Sequence, residues 1–181
     1  MVQLILCGRG GQGIVFLTKL LGDIATQKGL DVISSETHGM AVRGGSVNSH
    51  LKIGPFCSPL VRTGHADYLI SLDETETSNN DHFLRRGGIV FVNSVLPSEL
   101  GVLRVDAAGM ARSIGRIQLE NVILLGFSVS LADMGVSFAD IEAKLAAENR
   151  EAVRRDNLMA LKAGLKAATE LKTLTNLAPA S

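Results

Sequence analysis

A glycine-rich turn near the N-terminus carries the residues best suited to chemistry in this chain: Gly8, Gly10, Gly11, Gln12 and Gly13. The apolar run over 2–7 before it predicts a buried strand, and the run over 14–21 after it predicts the start of a helix. Glycine allows a tight turn, and the free N–H groups and positive dipole end of a helix N-terminus favour a phosphate or a carboxylate. The turn is therefore a candidate anion site, although the same glycines would also let a helix pack closely on a sheet.

A second candidate segment covers residues 36–46, where the sequence has no clear periodicity and predicts a loop. It follows a strand predicted over 31–35. We therefore expect it at the same edge of the sheet as the glycine turn, where open α/β sheets collect their ligands. Its candidate ligand or partner-binding residues are Glu36, His38, Arg43, Gly44, Gly45 and Ser46.

The charged residues of this loop have two interpretations. Arg43 beside two glycines suits a carboxylate or phosphate that backbone and guanidinium bind together. An unperturbed histidine titrates near neutrality, so His38 is the candidate acid or base. Alternatively, Glu36 and Arg43 form a local ion pair and His38 makes a hydrogen bond within the loop. No Cys or Ser lies in a recognisable nucleophile motif that would pair with His38.

Glu36 also suggests a nicotinamide enzyme. It lies 23 residues after Gly13, and dinucleotide-binding folds place the acid that holds the ribose about 20 residues after the last glycine. Two features oppose this interpretation. The turn has an extra glycine and Gln12 where variable residues normally lie, and a long glycine-rich loop replaces the usual short turn from the second strand into a helix.

Strands and helices alternate along most of the chain, which predicts a three-layer α/β/α fold with a mostly parallel, mixed sheet and a Rossmann-like first β-α unit. Strands are predicted over 2–7, 31–35, 47–53, 68–72, 89–92 and 102–105. The alternation within 47–53 predicts a half-exposed strand at an antiparallel or edge position. Helices are predicted over 13–28, 74–84, from 107, over 121–131, from 138 and over 151–172.

Local signals fix several ends of these elements. Gly29 is a helix C-terminal glycine, a turn is predicted over 86–88, and Ser137 is the N-cap of the helix that follows it. The last helix is predicted to bury a face made of Leu158, Leu161, Leu165 and Ala168. Residues 1–172 are thus expected to form a single domain, followed by a flexible tail over 173–181.

Composition argues against several classes of protein. Lys+Arg and Asp+Glu number 18 each and there are only six Phe, one Tyr and no Trp, so neither a nucleic acid nor a membrane is the expected partner. No apolar run reaches the roughly 20 residues that span a bilayer, and no signal-peptide pattern is visible. Cys7 and Cys57 cannot by themselves hold a four-thiolate cluster or a zinc site, so no metal site is expected. Cys7 is predicted to be a buried small hydrophobe, and the cysteine usage fits the cytoplasm.

The two glycine-rich segments together resemble the gamma-type module of the 2-oxoacid:ferredoxin oxidoreductases. The resemblance rests on the turn over 8–13, on Glu36-Thr37-His38-Gly39-Met40 and on Arg43-Gly44-Gly45-Ser46-Val47. It continues through 58–60, 66–70 and 121–126, and through Asn157, Ala160 and Gly164, so that it covers about residues 1–168. The His-Gly-Met form of the loop looks most like the beta subunit of the indolepyruvate:ferredoxin oxidoreductase branch, although Val42 stands where that branch usually has Gln.

The resemblance implies a division of labour between subunits. Enzymes of this family decarboxylate a 2-oxoacid oxidatively on thiamine diphosphate with Mg²⁺, pass electrons through iron–sulfur clusters to ferredoxin, and transfer the acyl group to coenzyme A. This chain lacks the cysteines for a cluster and any Gly-Asp-Gly thiamine motif, and Asn79-Asn80 is interpreted as helix surface. It is therefore expected to bind no cofactor alone and to work beside a large thiamine and iron–sulfur subunit. Alone it is expected to be inactive, and whether the isolated chain forms a homodimer stays open.

Several alternatives stay open at this stage. The substrate could be pyruvate, 2-oxoglutarate or a branched-chain 2-oxoacid instead of indolepyruvate or another aryl pyruvate. The chain could also be a stand-alone NAD- or FAD-binding protein, or a scaffold or regulatory relative without a catalytic partner. Within the family interpretation, the two glycine-rich segments either contact coenzyme A or serve only as an interface to the partner.

Overall fold

The sheet of this protein contains six strands, and the computed structural model describes residues 1–38 and 44–176. The strands are β1 (Val2–Arg9), β2 (Val32–His38), β3 (Ser46–Ile53), β4 (Ala66–Ser71), β5 (Leu84–Asn93) and β6 (Val102–Val105). Their order is β2-β3-β1-β4-β5-β6. The β1-β4, β4-β5 and β5-β6 pairs are parallel, whereas β3 is antiparallel to both β1 and β2. The predicted mixed, mostly parallel sheet is confirmed.

Within these described ranges six α-helices accompany the sheet: α1 (Ile14–Gln27), α2 (Glu74–Asn80), α3 (Ala107–Ile114), α4 (Glu120–Leu131), α5 (Phe138–Ala146) and α6 (Glu151–Asn176). Two predicted helix ends are confirmed: α1 ends just before Gly29, and α5 begins after Ser137, which forms a reciprocal capping box with Asp140. α2 is shorter than predicted, because a 3-10 turn over 81–83 follows it. None of the helices in the described ranges is long and apolar enough to cross a lipid bilayer.

The second strand is longer than its sequence predicted. It was expected over 31–35 with a loop from Glu36 onward, but β2 continues to His38 because β3 pairs with it along its whole length, from Val32 opposite Ile53 to His38 opposite Val47. Glu36 and His38 therefore lie in a strand, which corrects the prediction of a loop for them. Residues 39–43 lie outside the described part of the chain.

The turn predicted over 86–88 lies inside β5. The pairing of β5 with β4 shifts register between Ala66 and Tyr68, so that residues 85–88 bulge out of the regular ladder. Gly87 has a φ of 76° within this bulge, which explains why the glycines looked like a turn. The prediction of a separate turn before the strand was wrong.

β3 is neither an edge strand nor half-exposed, which corrects a second prediction. Its antiparallel orientation is as predicted, but it lies between β2 and β1, and its polar side is covered. His50 and Lys52 are buried. The His50 ring accepts a hydrogen bond at Nδ1 from the Val61 backbone N–H at 3.0 Å, and the Lys52 ammonium lies 5.1 Å from the centre of the Phe56 ring. The segment over 54–65 thus covers a stripe that the alternation assigned to solvent.

The larger part of the core lies on one face of the sheet, where α1, α3, α4, α5 and α6 pack. α4 is buried along most of its length, as its apolar sequence predicted. Its contact with α6 is the most extensive between helices, and it depends on two glycines. A Cβ built on Gly126 would overlap the Leu161 carbonyl oxygen, and one built on Gly164 would overlap the Ile123 carbonyl oxygen. The two helices therefore touch backbone to backbone.

The close crossing also changes the buried face predicted for α6. Leu161 and Ala168 are buried as expected, but Leu165 is 38% exposed, and Ala160 lies in the core instead. Gly164 faces the α4 backbone directly, where any larger side chain would hold the two helices apart. α6 also runs to Asn176, four residues past its predicted end, so part of the predicted tail is helical.

A thinner layer covers the other face of the sheet. It consists of α2, the 3-10 turn after it and the segment over 54–65, which contributes the buried Val61. The Cys7 side chain of β1 packs into the core beneath this layer and is buried as predicted, and burial raises the pKa of its thiol to about 12. Asn80 was interpreted as helix surface, but it is buried, donating to the Glu76 carbonyl oxygen at 2.8 Å and accepting from Asn48 at 3.0 Å. The two faces together confirm the three-layer α/β/α fold.

The buried His50 predicts a pH-dependent stability. Burial, and secondarily the charge of Lys52, lowers the pKa of the His50 imidazole below its ordinary value of 6.5. Above that value the ring is neutral in both the folded and unfolded states. As the pH falls below about 6.5, the unfolded chain takes up the proton more readily, so we expect the free energy of unfolding to decrease. Chemical denaturation at a series of pH values from 7.5 to about 5 measures it.

The substitution His50→Gln removes the titrating ring while keeping an acceptor for the Val61 N–H. We expect this variant to lose less stability than the wild type over the same pH range. The control is His65→Gln, at an exposed histidine, which should leave the pH dependence unchanged. Parallel curves for the wild type and His50→Gln would contradict the assignment.

Candidate functional site

The two glycine-rich segments meet at one edge of the sheet. Arg9, the last residue of β1, pairs with Ser46, the first residue of β3, and the Gly10 N–H donates to the Gly45 carbonyl oxygen at 2.8 Å. β2 ends at His38 on this same edge. The structure therefore brings the glycine turn together with Gly44, Gly45 and Ser46, as the topology argument predicted. Arg43 lies outside the described residues.

Gln12 holds the glycine turn in place with its side chain. Its Oε1 accepts from the Arg9 backbone N–H at 2.7 Å, and its Nε2 donates to the Leu72 carbonyl oxygen at 3.1 Å and to Glu120 Oε1 at 3.0 Å. A Cβ on Gly8 would lie 2.8 Å from Gln12 Oε1, so Gly8 makes room for this side chain. Gln12 thus joins three elements, and both its donor and its acceptor groups are used inside the protein.

The remaining glycines shape the surface of the turn. Gly11 and Gly13 have φ values of 100° and 86°, in the left-handed region that favours glycine. A Cβ on Gly11 would meet nothing within 4 Å, so this residue faces open space. Gly13 is the N-cap of α1 and no side chain caps the helix there. The first N–H groups of α1 therefore keep their capacity to bind an anion.

Asn121 lies against this uncapped helix end. It is only 6% exposed, and its Nδ2 is the atom that a Cβ on Gly13 would overlap. Its Oδ1 accepts from the Val122 backbone N–H at 2.8 Å. Within the described ranges its Nδ2 makes no hydrogen bond. Asn121 is held in place by its burial, and its free Nδ2 at the start of α1 offers a donor to an acceptor such as a phosphate oxygen.

Acidic residues flank the turn on both sides. Arg9 forms an ion pair with Asp73 at 2.8 Å, and Asp73 also caps α2 by accepting from the Thr75 N–H. Burial raises the pKa of the Glu120 carboxyl, and the hydrogen bond from Gln12 acts in the opposite direction. Both carboxylates are engaged with the protein, which leaves the α1 end as the electropositive part of the site.

The residues predicted in the second segment have different surroundings. Ser46 Oγ donates to Glu76 Oε2 at 2.6 Å, which connects the segment to α2. Glu36 is exposed on β2, opposite Ser49 of β3. Because β3 separates β2 from β1, Glu36 lies two strand spacings, about 10 Å, from β1. A dinucleotide fold needs β2 beside β1, so this arrangement does not place Glu36 where it would hold a ribose next to the glycine turn.

Several residues of the site were not found from the sequence: Asp73, Asn93, Glu120 and Asn121. Asn93 is the last residue of β5; it donates to the Leu72 carbonyl oxygen at 3.3 Å and accepts from the Ala108 N–H at 3.0 Å. Their place in the sequence could have indicated two of them, because Asp73 and Asn93 come at or just after the ends of parallel strands. Among the described residues, no three His, Cys, Asp or Glu side chains are arranged to hold a metal ion.

With this geometry established, comparison with known proteins identifies the class. The chain belongs to the pyruvate ferredoxin/flavodoxin oxidoreductase family, because the sequence model of that family matches residues 3–167. The resemblance seen in the sequence is therefore confirmed. The family's members include subunits of 2-oxoacid oxidoreductases, as the names of individual relatives show.

One such relative is the indolepyruvate oxidoreductase subunit IorB of Archaeoglobus fulgidus. It is 29% identical over 187 residues, which cover 90% of this chain and 93% of the relative. The gamma subunit of a keto/oxoacid ferredoxin oxidoreductase from Geobacter sulfurreducens has the same fold, with a TM-score of 0.76 at 23% identity over 94% of this chain and 99% of that one.

A third relative shows the fold inside a larger polypeptide. The 2-oxoglutarate:ferredoxin oxidoreductase of Magnetococcus marinus, solved with 2-oxoglutarate, coenzyme A and succinyl-CoA bound, matches with a TM-score of 0.76 at 18% identity. The match covers 93% of this chain but 31% of that one. In that protein the fold is one part of a longer chain.

Proposed function

We propose that this chain is the non-cluster subunit of an indolepyruvate:ferredoxin oxidoreductase, which decarboxylates indolepyruvate or a related aryl pyruvate oxidatively to the acyl-CoA. The observation that carries the proposal is the alignment with IorB over 90% of this chain and 93% of the relative. The partner would be a large subunit that holds thiamine diphosphate with Mg²⁺ and the iron–sulfur clusters, and that passes electrons to ferredoxin.

The residues of this chain do not fit an iron–sulfur cluster. Cluster ligands are thiolates, whereas Cys7 is buried with its thiol pKa raised to about 12. Cys57 is exposed, and no other cysteine exists in the sequence. The redox and thiamine chemistry is therefore assigned to the partner, and the role of this chain is to bind and orient.

The group that this chain is best equipped to bind is a phosphate of coenzyme A. The uncapped end of α1, the open face of Gly11 and the unpartnered Nδ2 of Asn121 supply hydrogen-bond donors in one place. Backbone N–H groups at a helix start and a neutral amide suit phosphate oxygens, because both are donors and the helix dipole favours negative charge. His38, the last residue of β2, is a candidate acid or base at the same edge. Glu36 of β2 and Arg43 complete the set of residues proposed to face coenzyme A or the partner.

The first experiment is co-expression of this chain with a large thiamine and iron–sulfur subunit from the same genome, followed by a reductase assay with an artificial electron acceptor and coenzyme A. Activity that needs both chains and favours indolepyruvate and phenylpyruvate would support the proposal. Preference for pyruvate, 2-oxoglutarate or a branched-chain substrate would keep the subunit role and change the substrate. Binding of NAD or FAD by this chain alone, without any complex, would overturn it.

The coenzyme A contact predicts an effect of Gly11→Ala and Arg43→Ala on affinity. We expect Arg43→Ala to raise the Kd for coenzyme A in the assembled complex about tenfold or more, because a charge-assisted hydrogen bond to phosphate contributes about 1.5–3 kcal/mol. Gly11→Ala should raise it as well, since alanine strains a φ of 100° and would shift the turn. Isothermal titration measures both.

Gly29→Ala is the matched control for Gly11→Ala. Gly29 also has a positive φ, and its Cβ would also meet nothing within 4 Å, but it lies at the other end of α1. It should leave the Kd for coenzyme A unchanged. If both test variants bound coenzyme A normally in an intact complex, the contact would be refuted. Weakened subunit association with normal kinetics of the assembled enzyme would favour a pure interface role instead.

A further inference from the structure

The two edge strands of the sheet differ in how their outer sides are covered. On the outer side of β6, the Val102 N–H and carbonyl oxygen exchange hydrogen bonds with Glu99, both at 2.9 Å. The Arg104 N–H donates to Ser98 Oγ at 2.8 Å, and the same hydroxyl donates to the Arg104 carbonyl oxygen at 3.4 Å. β6 is also only four residues long. The chain itself therefore closes this edge, which is one way in which proteins prevent unwanted strand pairing.

The edge at β2 has none of these protections. β2 is seven residues long, and its sequence contains no proline, lysine or arginine. It pairs with β3 without a bulge, one residue opposite one residue from Val32 to His38. No other strand within 1–38 and 44–176 pairs with its outer side. A long, regular and open edge of this kind is a template for the addition of another strand.

The hydrogen bonds to β3 show which backbone groups of β2 point outward. The Asp31 carbonyl oxygen accepts from the Gly54 N–H at 2.8 Å, and these two residues continue the register of the strands by one step. Opposed residues of an antiparallel pair alternate between pairs that exchange hydrogen bonds and pairs that do not. The odd-numbered residues of β2 therefore bond to β3, and the backbone groups of Val32, Ser34 and Glu36 point away from it.

The sequence of β2 is complementary to itself when two copies run antiparallel about Ser35. Ser34 of each copy then lies opposite Glu36 of the other, and their outward N–H and carbonyl groups can exchange hydrogen bonds. The serine hydroxyl is also a donor for the carboxylate, and both side chains are exposed. A register centred on Glu36 would instead place two carboxylates directly opposite each other, which is destabilising.

We infer that β2 is the contact between two copies of this chain, which pair antiparallel across a two-fold axis at Ser35 and join their sheets into one. A two-fold interface uses the same patch on both subunits, and β2 supplies both members of every pair. A two-fold register about Ser34 would leave His38 outside the ladder. The inference goes beyond the proposed function and does not depend on the substrate. It assigns Glu36, one of the residues proposed to face a ligand or a partner, to the second copy.

Charge substitutions at Ser34 test the pairing and its register, with sedimentation equilibrium of the purified full chain as the measurement. Ser34→Glu places a carboxylate opposite Glu36 at both ends of the ladder and should raise the Kd of the dimer about tenfold or more. Ser34→Lys places an ammonium there and should leave the Kd unchanged or lower it. In a register about Ser34 both variants would oppose like charges, so weakening by both would overturn the proposed axis.

A cysteine on the axis tests the same contact in the isolated chain and in the co-expressed complex. Ser35 of the two copies would form a pair without hydrogen bonds, with Cα atoms about 4.5 Å apart, which a disulfide can span. In a Cys57→Ser background, which removes the exposed native thiol, Ser35→Cys should join the copies under mild oxidation. Thr37→Cys is the control, because it would lie about 13 Å along the strand from its counterpart and should give no cross-link.

Ser113→Glu is the control for Ser34→Glu, since it adds the same charge at an exposed serine of α3 and should leave the Kd unchanged. Circular dichroism checks that each variant is folded. A wild-type chain that is monomeric alone, together with a Ser35→Cys complex that gives no cross-link, would overturn the inference. A dimer that tolerates Ser34→Glu would overturn it too. Loss of the large subunit by Ser34→Glu, with self-association intact, would assign this edge to a strand of the large subunit instead.

Discussion

Replacing Gly164 with alanine is expected to lower the free energy of unfolding by about 3 kcal/mol or more, at the upper end of what overpacking costs in protein cores. The added methyl group would overlap the Ile123 carbonyl oxygen and lie 2.6 Å from the Phe127 backbone nitrogen. Both atoms belong to the backbone of α4, so no side chain can rotate away. Chemical denaturation of the purified chain, followed by circular dichroism, measures the loss.

Gly22→Ala is the matched control for this substitution. Gly22 also lies inside a helix, α1, but its Cβ would meet Val32 at 3.5 Å, an ordinary contact. Alanine is favoured over glycine in helix interiors by about 1 kcal/mol, so this variant should be as stable as the wild type or more stable. If Gly164→Ala lowers the free energy of unfolding while Gly22→Ala leaves it unchanged or raises it, the α4–α6 contact, and not helix propensity, requires Gly164. Similar values for both variants would contradict the backbone contact.

The substitution Gln12→Leu is expected to destabilise the protein by about 2–3 kcal/mol and to weaken coenzyme A binding in the complex. Leucine has a similar size, but it leaves the Arg9 N–H and the Glu120 carboxylate without the partner that Gln12 supplies, and unmade bonds of this kind cost about 1–3 kcal/mol. The turn would also lose its attachment to the Leu72 carbonyl oxygen. Denaturation gives the stability, and titration of the complex gives the affinity.

Gln118→Leu is the control for Gln12→Leu, because Gln118 is an exposed glutamine only two residues before Glu120. It should change neither stability nor affinity by a measurable amount. Loss of affinity in Gln12→Leu at unchanged stability would mean that Gln12 contacts the ligand directly, against the internal bonding described above. No change in either quantity would mean that the three hydrogen bonds do not hold the turn.

Features with local causes could be predicted from the sequence. The strand, glycine turn and helix over the first 28 residues follow from an apolar run, glycines and a helical apolar pattern. The start of α5 follows from the pairing of Ser137 with Asp140, which are three residues apart. Each of these signals acts between residues that are close in the sequence, so distant parts of the chain do not change the predicted element.

Features that depend on distant partners could not be predicted. β2 extends to His38 because β3 offers a ladder that far, and β3 is buried because a segment without regular structure folds over His50 and Lys52. Asn121 was hidden in an apolar stretch that predicted only a buried helix. Asn121 becomes part of the candidate site only because α4 packs against the turn at Gly13, which lies more than a hundred positions earlier in the sequence.

The unequal covering of the two sheet faces has a consequence for the motions of the molecule. One face is sealed by five helices, two of which are in backbone contact, whereas the other is covered by one seven-residue helix, a 3-10 turn and the segment over 54–65. Partial opening requires the loss of few buried contacts on the thin side and of many on the thick side. Fluctuations that admit water to the interior should therefore start around Val61 and His50. Gln12 of the glycine turn is hydrogen-bonded to Glu120 of α4, on the thick side. We therefore expect the turn to keep its shape while the thin layer opens.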